Sequence, residues 1–368
     1  MASFVYFMDL RATVQENFFK KLDRLMQTTG IEKIIKKKDL VAVKLHFGEM
    51  GNLAYVRPVV LRQVVQTVKA LEGEPFLTDA NTLYVGTRSI ASSHLQTAIS
   101  NGFDYAVVGA PLIIADGLRG KSETAVKLGM KQVDHAYIGS EIVASDAIIS
   151  VAHVKGHELA GFGGAIKNMG MGCASRRGKL AQHSSLSPKV IEAQCILCGE
   201  CENHCSQAAI AMGDTMAEID EDSCIGCGEC MVVCPNSAIE VQWSNLVPEF
   251  MEKMVEYTAG VIKGKDNKCF YLNFITNVSP GCDCLPANDA PIVRDIGVLA
   301  SLDPVAIDQA AVDLINQEQA LPGCCLTKNT QPGQDKFKGL YPNVDWTHQL
   351  DYAQELGLGE RAYELISI

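Results

Sequence analysis

Residues 195–234 read CILCGECENHCSQAAIAMGDTMAEIDEDSCIGCGECMVVC and contain two copies of the pattern C-x2-C-x2-C-x3-C. Each cysteine of the first copy lies 29 residues before its counterpart, and the tails Cys-Ser-Gln-Ala-Ala-Ile and Cys-Pro-Asn-Ser-Ala-Ile also correspond. Closely spaced thiolates of this kind are typical ligands of iron–sulfur clusters. The duplication therefore predicts a small electron-transfer unit that is inserted between two longer parts of the chain.

This segment resembles the bacterial two-cluster ferredoxins, in which the fourth cysteine of each copy binds the other cluster. The resemblance implies two [4Fe-4S] clusters. It assigns the first cluster to Cys195, Cys198, Cys201 and Cys234, and the second to Cys224, Cys227, Cys230 and Cys205. Zinc usually takes two separated cysteine pairs. A disulfide framework needs an oxidising compartment, whereas the first residues lack the features of a secretory signal, so we expect a cytoplasmic protein.

The composition predicts a globular protein with one large domain and one small one, because the chain has 368 residues and is 47% hydrophobic. We expect no direct membrane span, since no apolar run approaches the length of about 18 residues that a span needs. The net charge is −11, and residues 192–240 contain ten acidic residues but no lysine or arginine. This acidity predicts no nucleic-acid partner and favours a basic redox partner protein or a small electron carrier. The alternative is that it only keeps the unit soluble.

Strand-like and helix-like runs alternate on both sides of the cysteines, which is typical of α/β layers. The predicted strands are Val5–Leu10, Val41–Phe47, Pro75–Thr78, Ala106–Val108, Ile142–Val154, Cys269–Ile275 and Ile296–Ala300. The predicted helices are Gln15–Met26, Pro58–Leu71, Ser89–Ser100, Pro248–Ile262 and Pro304–Asn316. We expect one α/β domain from residues 1–187 and 245–368, with a mixed or largely parallel sheet flanked by helices. The inserted α+β ferredoxin-like domain would span residues 188–244.

Polar side chains stand near the carboxyl ends of three predicted strands, where open α/β sheets bind their ligands. Alternation places Ile149, Val151, His153, Lys155 and His157 on one face if that run is extended throughout. The catalytic candidates are His46, His153 and His157, and the ligand-binding candidates include Lys44, Lys155, Asp79 and Asn81. A lone histidine is more often structural, so the hypothesis depends on these residues converging.

A glycine-rich turn at residues 161–172 predicts an anion site, because exposed backbone N–H groups at the start of a short helix bind anions. Gly163, Gly164, Lys167 and Asn168 are the candidates there. The turn matches neither a Walker A loop nor the G-x-G-x-x-G fingerprint. Its glycines are alternatively explained by tight packing. The basic residues around it either receive an anionic substrate or, as we favour for Arg176 and Arg177, pair with the acidic unit.

Three motifs carry a second resemblance: VKLHFGE at 43–49, AHVKGH at 152–157 and GAIKNMG at 164–170. As a set they resemble the uncharacterised iron–sulfur proteins with a DUF362 domain, over nearly the whole chain. The resemblance implies an α/β domain with two [4Fe-4S] clusters and a redox role. It implies no substrate.

Six cysteines lie outside the duplicated segment: Cys173, Cys269, Cys282, Cys284, Cys324 and Cys325. They are either buried structural thiols or part of a further metal or cofactor site. The leading hypothesis is an oxidoreductase that relays electrons to or from an anionic small-molecule substrate. One alternative is a non-enzymatic electron carrier or redox-responsive binding protein. Another is a metal-dependent enzyme with His46, His153 and His157 as ligands.

Overall fold

The computed structural model describes residues 2–84, 86–183, 187–205, 207–224, 229–240 and 247–368. Its strands are, in chain order, β1 (Ser3–Asp9), β2 (Leu40–Lys44), β3 (Glu74–Asp79), β4 (Leu112–Ile114), β5 (Glu123–Lys127), β6 (His135–Gly139), β7 (Ala147–His153), β8 (Lys155–His157), β9 (Gly161–Gly163), β10 (Lys189–Val190), β11 (Ile210–Met212), β12 (Ala217–Ile219), β13 (Ile239–Glu240), β14 (Cys269–Ile275), β15 (Gly297–Ser301) and β16 (Tyr363–Ser367). Its α-helices are α1 (Phe18–Thr29), α2 (Ile31–Ile34), α3 (Pro58–Ala70), α4 (Ala91–Ser100), α5 (Tyr105–Val108), α6 (Ser140–Ala144), α7 (Ala165–Gly170), α8 (Arg176–His183), α9 (Glu200–Asn203), α10 (Glu229–Val233), α11 (Val247–Ile262), α12 (Pro304–Gln317), α13 (Lys336–Leu340) and α14 (Thr347–Glu355).

Eight strands form the main sheet, in the order β16-β1-β15-β14-β7-β2-β3-β4. Every neighbouring pair is parallel except the two that involve β15. The expected α/β architecture with a largely parallel sheet is confirmed. Because β14, β7, β2, β3 and β4 run in the same direction, their carboxyl ends lie at one edge of the sheet.

Helices cover both faces of this sheet and give it two hydrophobic cores. Val41 and Val43 of β2 face the core that α1 and α3 close, whereas Ala42 faces the core that α7, α11, α12 and α14 close. This alternation is the normal geometry of a strand that is buried on both sides. In the described ranges, no helix combines the length and apolarity needed to cross a bilayer.

Two predicted strands are wrong, Ala106–Val108 entirely and Ile142–Val154 in part. Residues 106–108 belong to helix α5, because the Asp104 side chain accepts a hydrogen bond from Val107 N at 2.9 Å and caps the helix. The run Ile142–Val154 splits into helix α6 and strand β7. Asp146 Oδ2 between them accepts from Leu40 N at 2.8 Å, which aligns β7 with β2. Lys155–His157 does not extend β7 but pairs with β9 as a separate strand.

Residues 189–240 lie outside the main sheet and contain two small antiparallel pairs, β10 with β13 and β11 with β12. Helices α9 and α10 carry cysteines of the duplicated segment. The predicted ends of this domain fall at or beside residues 184–186 and 241–246, and Cys227 is likewise outside the described residues. The domain division therefore stays a prediction.

Candidate functional site

A cavity of about 440 Å³ opens at the carboxyl ends of β2 and β3. Strand β8, helices α7, α8 and α11 and a loop around residues 282–286 complete its wall. The predicted site residues among its lining are Lys44, His46, Asp79, Lys155, His157, Lys167 and Asn168. Seven of the eleven candidates outside the cysteine segment thus converge on one cavity.

Lys44 is buried at the end of β2, and its ammonium pairs with the end of β3. Its Nζ lies 3.0 Å from Asp79 Oδ1 and donates to Asn168 Oδ1 at 3.0 Å. Asn168 Nδ2 donates in turn to Ser150 Oγ at 2.8 Å. Burial disfavours the charged form of Asp79, but the surrounding positive charges, Lys44 foremost, outweigh it and hold the pKa of this carboxyl below its usual range.

Arg88 is a cavity residue that the sequence reasoning missed. It is 2% exposed, and its guanidinium lies 3.1 Å from both Glu49 Oε2 and Asp79 Oδ2. Its Nη2 donates to the Tyr84 hydroxyl at 2.9 Å, and that hydroxyl donates to the Cys284 carbonyl at 2.8 Å. Burial raises the pKa of Tyr84 well above its usual value. The sequence pointed to Arg88 only through its partner Glu49, which is the last residue of the VKLHFGE motif at 43–49.

His46 is held in its neutral form. Burial, followed by the charge of Arg88, lowers the pKa of its imidazole to about 3. Its Nδ1 accepts a hydrogen bond from Gly48 N at 2.9 Å, so the ring proton lies on Nε2. His46 can therefore donate a hydrogen bond at neutral pH, but it holds no second proton to transfer.

His153 does not line the cavity. Its Nδ1 lies 2.8 Å from Asp283 Oδ1, and its Nε2 lies 2.9 Å from the Thr276 carbonyl oxygen. Both ring nitrogens of His153 therefore face oxygen acceptors. Lys155 Nζ lies 3.2 Å from the other oxygen of Asp283. His153 thus anchors the neighbouring loop, while Lys155 and His157 line the cavity.

Cys282 and Cys284 enter the cavity from that loop. Lys167 Nζ donates to Cys282 Sγ at 3.4 Å. A hydrogen bond from the Cys284 thiol lowers the pKa of Cys282 well below its usual range, against the effect of burial, and Lys167 and His157 act in the same direction. Cys284 keeps the shared proton, so its pKa is raised well above normal. Burial disfavours the Lys167 ammonium, yet the two sulfurs raise its pKa to about 12.

The loop reaches the cavity only because residue 156 is a glycine. A Cβ atom at Gly156 would lie 2.0 Å from the carbonyl oxygen of Pro280.

Three aromatic rings of the cavity lining stack on one another. The imidazole of His157 stacks on Phe250, with ring centroids 6.1 Å apart, and Phe250 stacks on His183 at 5.0 Å. Burial lowers the pKa of His183 to about 3.

The backbone N–H groups of the glycine-rich turn already bind a carboxylate of the protein itself, that of Asp308. Asp308 accepts hydrogen bonds from Ala165 N at 2.7 Å and from Ile166 N at 3.0 Å, where α7 begins. A Cβ atom at Gly164 would lie 2.2 Å from the same carboxylate, so the glycine permits this close approach. Neither Gly163 nor Gly164 lines the cavity. Helix α7 contributes to the cavity through Lys167 and Asn168 instead.

Asn81 is likewise structural in its contacts. Its Nδ2 donates to Asp116 Oδ1 at 2.8 Å and to the Gly117 carbonyl at 2.8 Å. These bonds tie the segment after β3 to the segment after β4, and Asn81 does not line the cavity.

The unit that carries the cysteines packs directly against the wall of the cavity. Leu83 lines the cavity and also belongs to a hydrophobic cluster with Cys201, Cys230 and six other buried residues. At the same junction Glu229 Oε1 lies 2.8 Å from Arg119 Nη1, and Glu229 Oε2 lies 3.5 Å from Arg176 Nη1. The expected pairing of Arg176 with the acidic unit is confirmed.

Arg177 does not make the pairing that was expected of it. Its guanidinium stacks 3.7 Å from the ring centroid of Tyr137 and lies 3.6 Å from Glu123 Oε1. Both partners belong to the β5–β6 hairpin. Arg177 therefore stabilises the packing of α8 within the α/β part of the chain.

The four thiols predicted to share one cluster surround a common space. Cys195, Cys198, Cys201 and Cys234 line a cavity of about 20 Å³, together with apolar side chains. The distant Cys234 thus joins the three thiols of the first copy, as the ferredoxin assignment requires. Of the second set, the structure describes Cys205, Cys224 and Cys230.

The two copies also share their local backbone geometry. Ala209 N donates to Cys205 Sγ at 3.2 Å, and Ala238 N, 29 residues later, donates to Cys234 Sγ at 3.2 Å. Ala208 and Ser237 between them both adopt a left-handed conformation with φ of 51°. Backbone N–H groups directed at sulfur stabilise thiolate ligands.

The geometry does not bring His46, His153 and His157 into one coordination set. Within the described part of the chain, no three histidine, cysteine, aspartate or glutamate side chains are arranged around a single ion. A four-iron cluster spaces its thiolates more widely than one ion does, since each cysteine binds a different iron.

Among solved structures, the chain is similar to the lactate racemase apoprotein from Thermoanaerobacterium thermosaccharolyticum, with a TM-score of 0.43 and 14% identity, over 86% of this chain and 59% of that one. It is also similar to a protein from Thermotoga maritima, with a TM-score of 0.39 and 10% identity, over 92% of this chain and 57% of that one. The chain therefore spans less than two thirds of either structure. No curated protein matches it. The family described as a domain of unknown function, DUF362, matches residues 41–313, and the chain belongs to this family.

Proposed function

We propose that this protein transfers electrons through two [4Fe-4S] clusters to or from an anionic molecule bound in the α/β cavity. The observation that carries the proposal is the common cavity of Cys195, Cys198, Cys201 and Cys234. Three of these thiols come from one copy of the duplicated segment and the fourth from the other. That interleaving is characteristic of two-cluster ferredoxins and has no purpose in a set of structural thiols.

When bound, each cluster accepts or donates one electron. The residues around the thiols fit this role, because Cys205 and Cys234 accept backbone hydrogen bonds that stabilise a thiolate. Leu83 extends the apolar surroundings of Cys201 and Cys230 to the wall of the large cavity. Packed side chains thus connect the thiols of the cysteine unit with the large cavity.

The charges around the cavity favour an anion. Five cationic side chains line it against three carboxylates: Lys44, Arg88, Lys155, Lys167 and Lys179 against Glu49, Asp79 and Glu158. Lys44 and Arg88 are paired with carboxylates of the lining, and Lys155 with Asp283, which is not part of the lining. Among the described residues, Lys167 and Lys179 contact no carboxylate, so we propose these two, together with Lys155, as anion ligands. We propose His46 and His157, which both line the cavity, as hydrogen-bond donors to the anion, whereas His153 is engaged by Asp283.

Iron and sulfide analysis of the anaerobically purified protein tests the cluster proposal. We expect about eight of each per chain, as two [4Fe-4S] clusters require. Replacing Cys198 with serine should lower the iron content and change the electron paramagnetic resonance spectrum of the reduced protein. The matched control is Cys173→Ser, which replaces a buried thiol outside the duplicated segment, and this variant should keep the wild-type iron content. Stoichiometric zinc without sulfide would contradict the proposal.

A second experiment separates an enzyme from a simple electron carrier. Mass spectrometry of molecules that co-purify with the protein should detect an anion that is lost in Lys155→Met but kept in the exposed control Lys328→Met. An empty cavity, with unchanged electron transfer to a basic redox protein in both variants, would instead favour the carrier. We place either activity in a reducing cytoplasm, where free thiols persist.

A further inference from the structure

We propose that Cys282 and Cys284 form a redox-active dithiol that closes to a disulfide and exchanges two electrons with the clusters. The inference rests on the proposed electron-transfer function and adds a second redox centre to it. A single cluster exchanges one electron, whereas a dithiol stores two electrons beside a molecule bound in the cavity.

The local geometry presents both thiols to the same space. The two cysteines line the cavity, while Asp283 between them points away from it to His153 and Lys155. Cys284 N donates to Cys282 Sγ at 3.4 Å, so the chain already turns back on itself at this point. The two thiols therefore stand on one turn of the chain and face the same cavity.

The surroundings distinguish the two sulfurs. Lys167 Nζ lies 3.4 Å from Cys282 Sγ and stabilises a thiolate there. His157 lines the same cavity, and its Nδ1 accepts from Ala160 N at 3.1 Å, which leaves the ring proton on Nε2. Cys282 is therefore the thiolate and Cys284 the thiol of the reduced pair.

The half-reaction balances in atoms and charge. On oxidation, the Cys282 thiolate and the Cys284 thiol would form one S–S bond, lose two electrons and release the Cys284 proton into the cavity. Two [4Fe-4S] clusters held by the cysteine unit would supply the matching capacity of one electron each. In the reverse direction the disulfide would take up two electrons and one proton, which would regenerate the thiolate beside Lys167.

A contact path joins the dithiol to the cluster unit. The Tyr84 hydroxyl donates to the Cys284 carbonyl at 2.8 Å, and the adjacent Leu83 packs with Cys201 and Cys230. These two neighbouring residues therefore bridge the two redox centres. The other buried thiols offer a contrast, since burial raises the pKa of Cys173 to about 12 and that of Cys269 to about 11.

Thiol mapping tests the dithiol directly. The anaerobic holoprotein is equilibrated with mixtures of oxidised and reduced dithiothreitol, quenched in acid, and treated with iodoacetamide under denaturing conditions. The ratio of disulfide to dithiol at Cys282 and Cys284 should change tenfold for each tenfold change in the dithiothreitol ratio, because both couples carry two electrons. Cys173 and Cys269 should stay alkylated throughout. Full alkylation of Cys282 and Cys284 in every mixture would overturn the inference.

Coupling to the clusters is tested by rapid mixing. In protein with an oxidised Cys282–Cys284 pair, chemically reduced clusters should reoxidise and two new alkylatable thiols should appear. In Cys284→Ser no reoxidation is expected, although the iron content should equal that of the wild type. Normal iron content with no thiols gained in the wild type would refute the coupling. Absence of iron and sulfide would refute the proposed function itself, while the thiol mapping would still decide whether the dithiol exists.

Lys167→Met provides a variant that retains both cysteines. Alkylation of native, reduced Cys282 by iodoacetamide at pH 7 should slow by at least about tenfold, because the thiolate loses its ammonium partner. An unchanged rate would show that the sulfur is not held as a thiolate by this lysine. Lys328→Met serves again as the exposed control.

Discussion

His153 Nδ1 lies 2.8 Å from Asp283 Oδ1, a contact between the end of β7 and a loop 130 residues later. The same carboxylate lies 3.2 Å from Lys155 Nζ. Burial opposes ionisation of Asp283, but His153 and Lys155 hold its pKa below the usual range. One buried carboxylate therefore joins a predicted catalytic histidine, a cavity lysine and the Cys-Asp-Cys loop.

Asp283→Asn should destabilise the protein by about 3–5 kcal/mol, because it leaves the buried ammonium of Lys155 without a counter-charge and His153 without its carboxylate partner. Urea unfolding of the holoprotein measures the loss. Lys37→Gln removes half of the exposed pair Lys37–Glu72 and should change stability by less than about 1 kcal/mol. Equal losses of stability in the two variants would show that the buried contacts of Asp283 stabilise the protein no more than the exposed Lys37–Glu72 pair does.

Acid should destabilise the protein from about pH 6.5 downwards. Burial lowers the pKa of His46 and of His183 from the ordinary value of about 6.5 to about 3. Between pH 6.5 and pH 3, the unfolded chain therefore binds protons that the folded chain does not. Each histidine contributes a loss of about 1.4 kcal/mol per pH unit in that window. Unfolding between pH 7 and 5.5 should show a smaller slope in His46→Asn. A slope that His46→Asn leaves unchanged would contradict the assignment.

Glu229→Gln should weaken the junction between the cysteine unit and the α/β part. Glu229 is 1% exposed and neutralises Arg119, Arg176 and Lys121, so its loss should cost about 3 kcal/mol. We expect a lower thermal midpoint and faster loss of iron on warming. The exposed acid Glu240, in the same unit, gives the matched control Glu240→Gln. Identical iron loss in the two variants would rule out a role for this junction in retaining the clusters.

Asp308→Ala should cost about 3–5 kcal/mol, since it leaves the N–H groups of Ala165 and Ile166 and the amide of Asn273 without their acceptor. Burial raises the pKa of Asp308 to about 6, so protonation between pH 6 and 4 stabilises the folded state relative to the unfolded chain. The variant should lack this contribution. Comparison of the two unfolding profiles measures it. If added phosphate restores the stability of the variant, the N–H groups of Ala165 and Ile166 bind an external anion in the place of the Asp308 carboxylate.

Local patterns predicted the parts of this protein that depend on neighbours in the chain. The helical spacing of Leu61, Val64, Val65 and Val68 predicted α3, and all four are buried. The polar residues after β2 and β3 predicted a site at the carboxyl edge, and Lys44 and Asp79 pair there. The prediction for residues 106–108 was wrong because three apolar residues fit a strand or a helix equally well. The contact that decides for the helix is the hydrogen bond from Val107 N to the capping side chain of Asp104.

The sequence by itself determined the α/β class, the cysteine ladder and its internal duplication, since periodicity and spacing are local properties of the chain. Only the tertiary structure decided that His153 faces Asp283, that Asp308 occupies the glycine-rich turn, and that Cys282 and Cys284 meet Lys167. Each of these contacts joins residues more than 100 positions apart. Their partners are selected by burial, which makes an unpaired charge or N–H group costly, and no local pattern records that requirement.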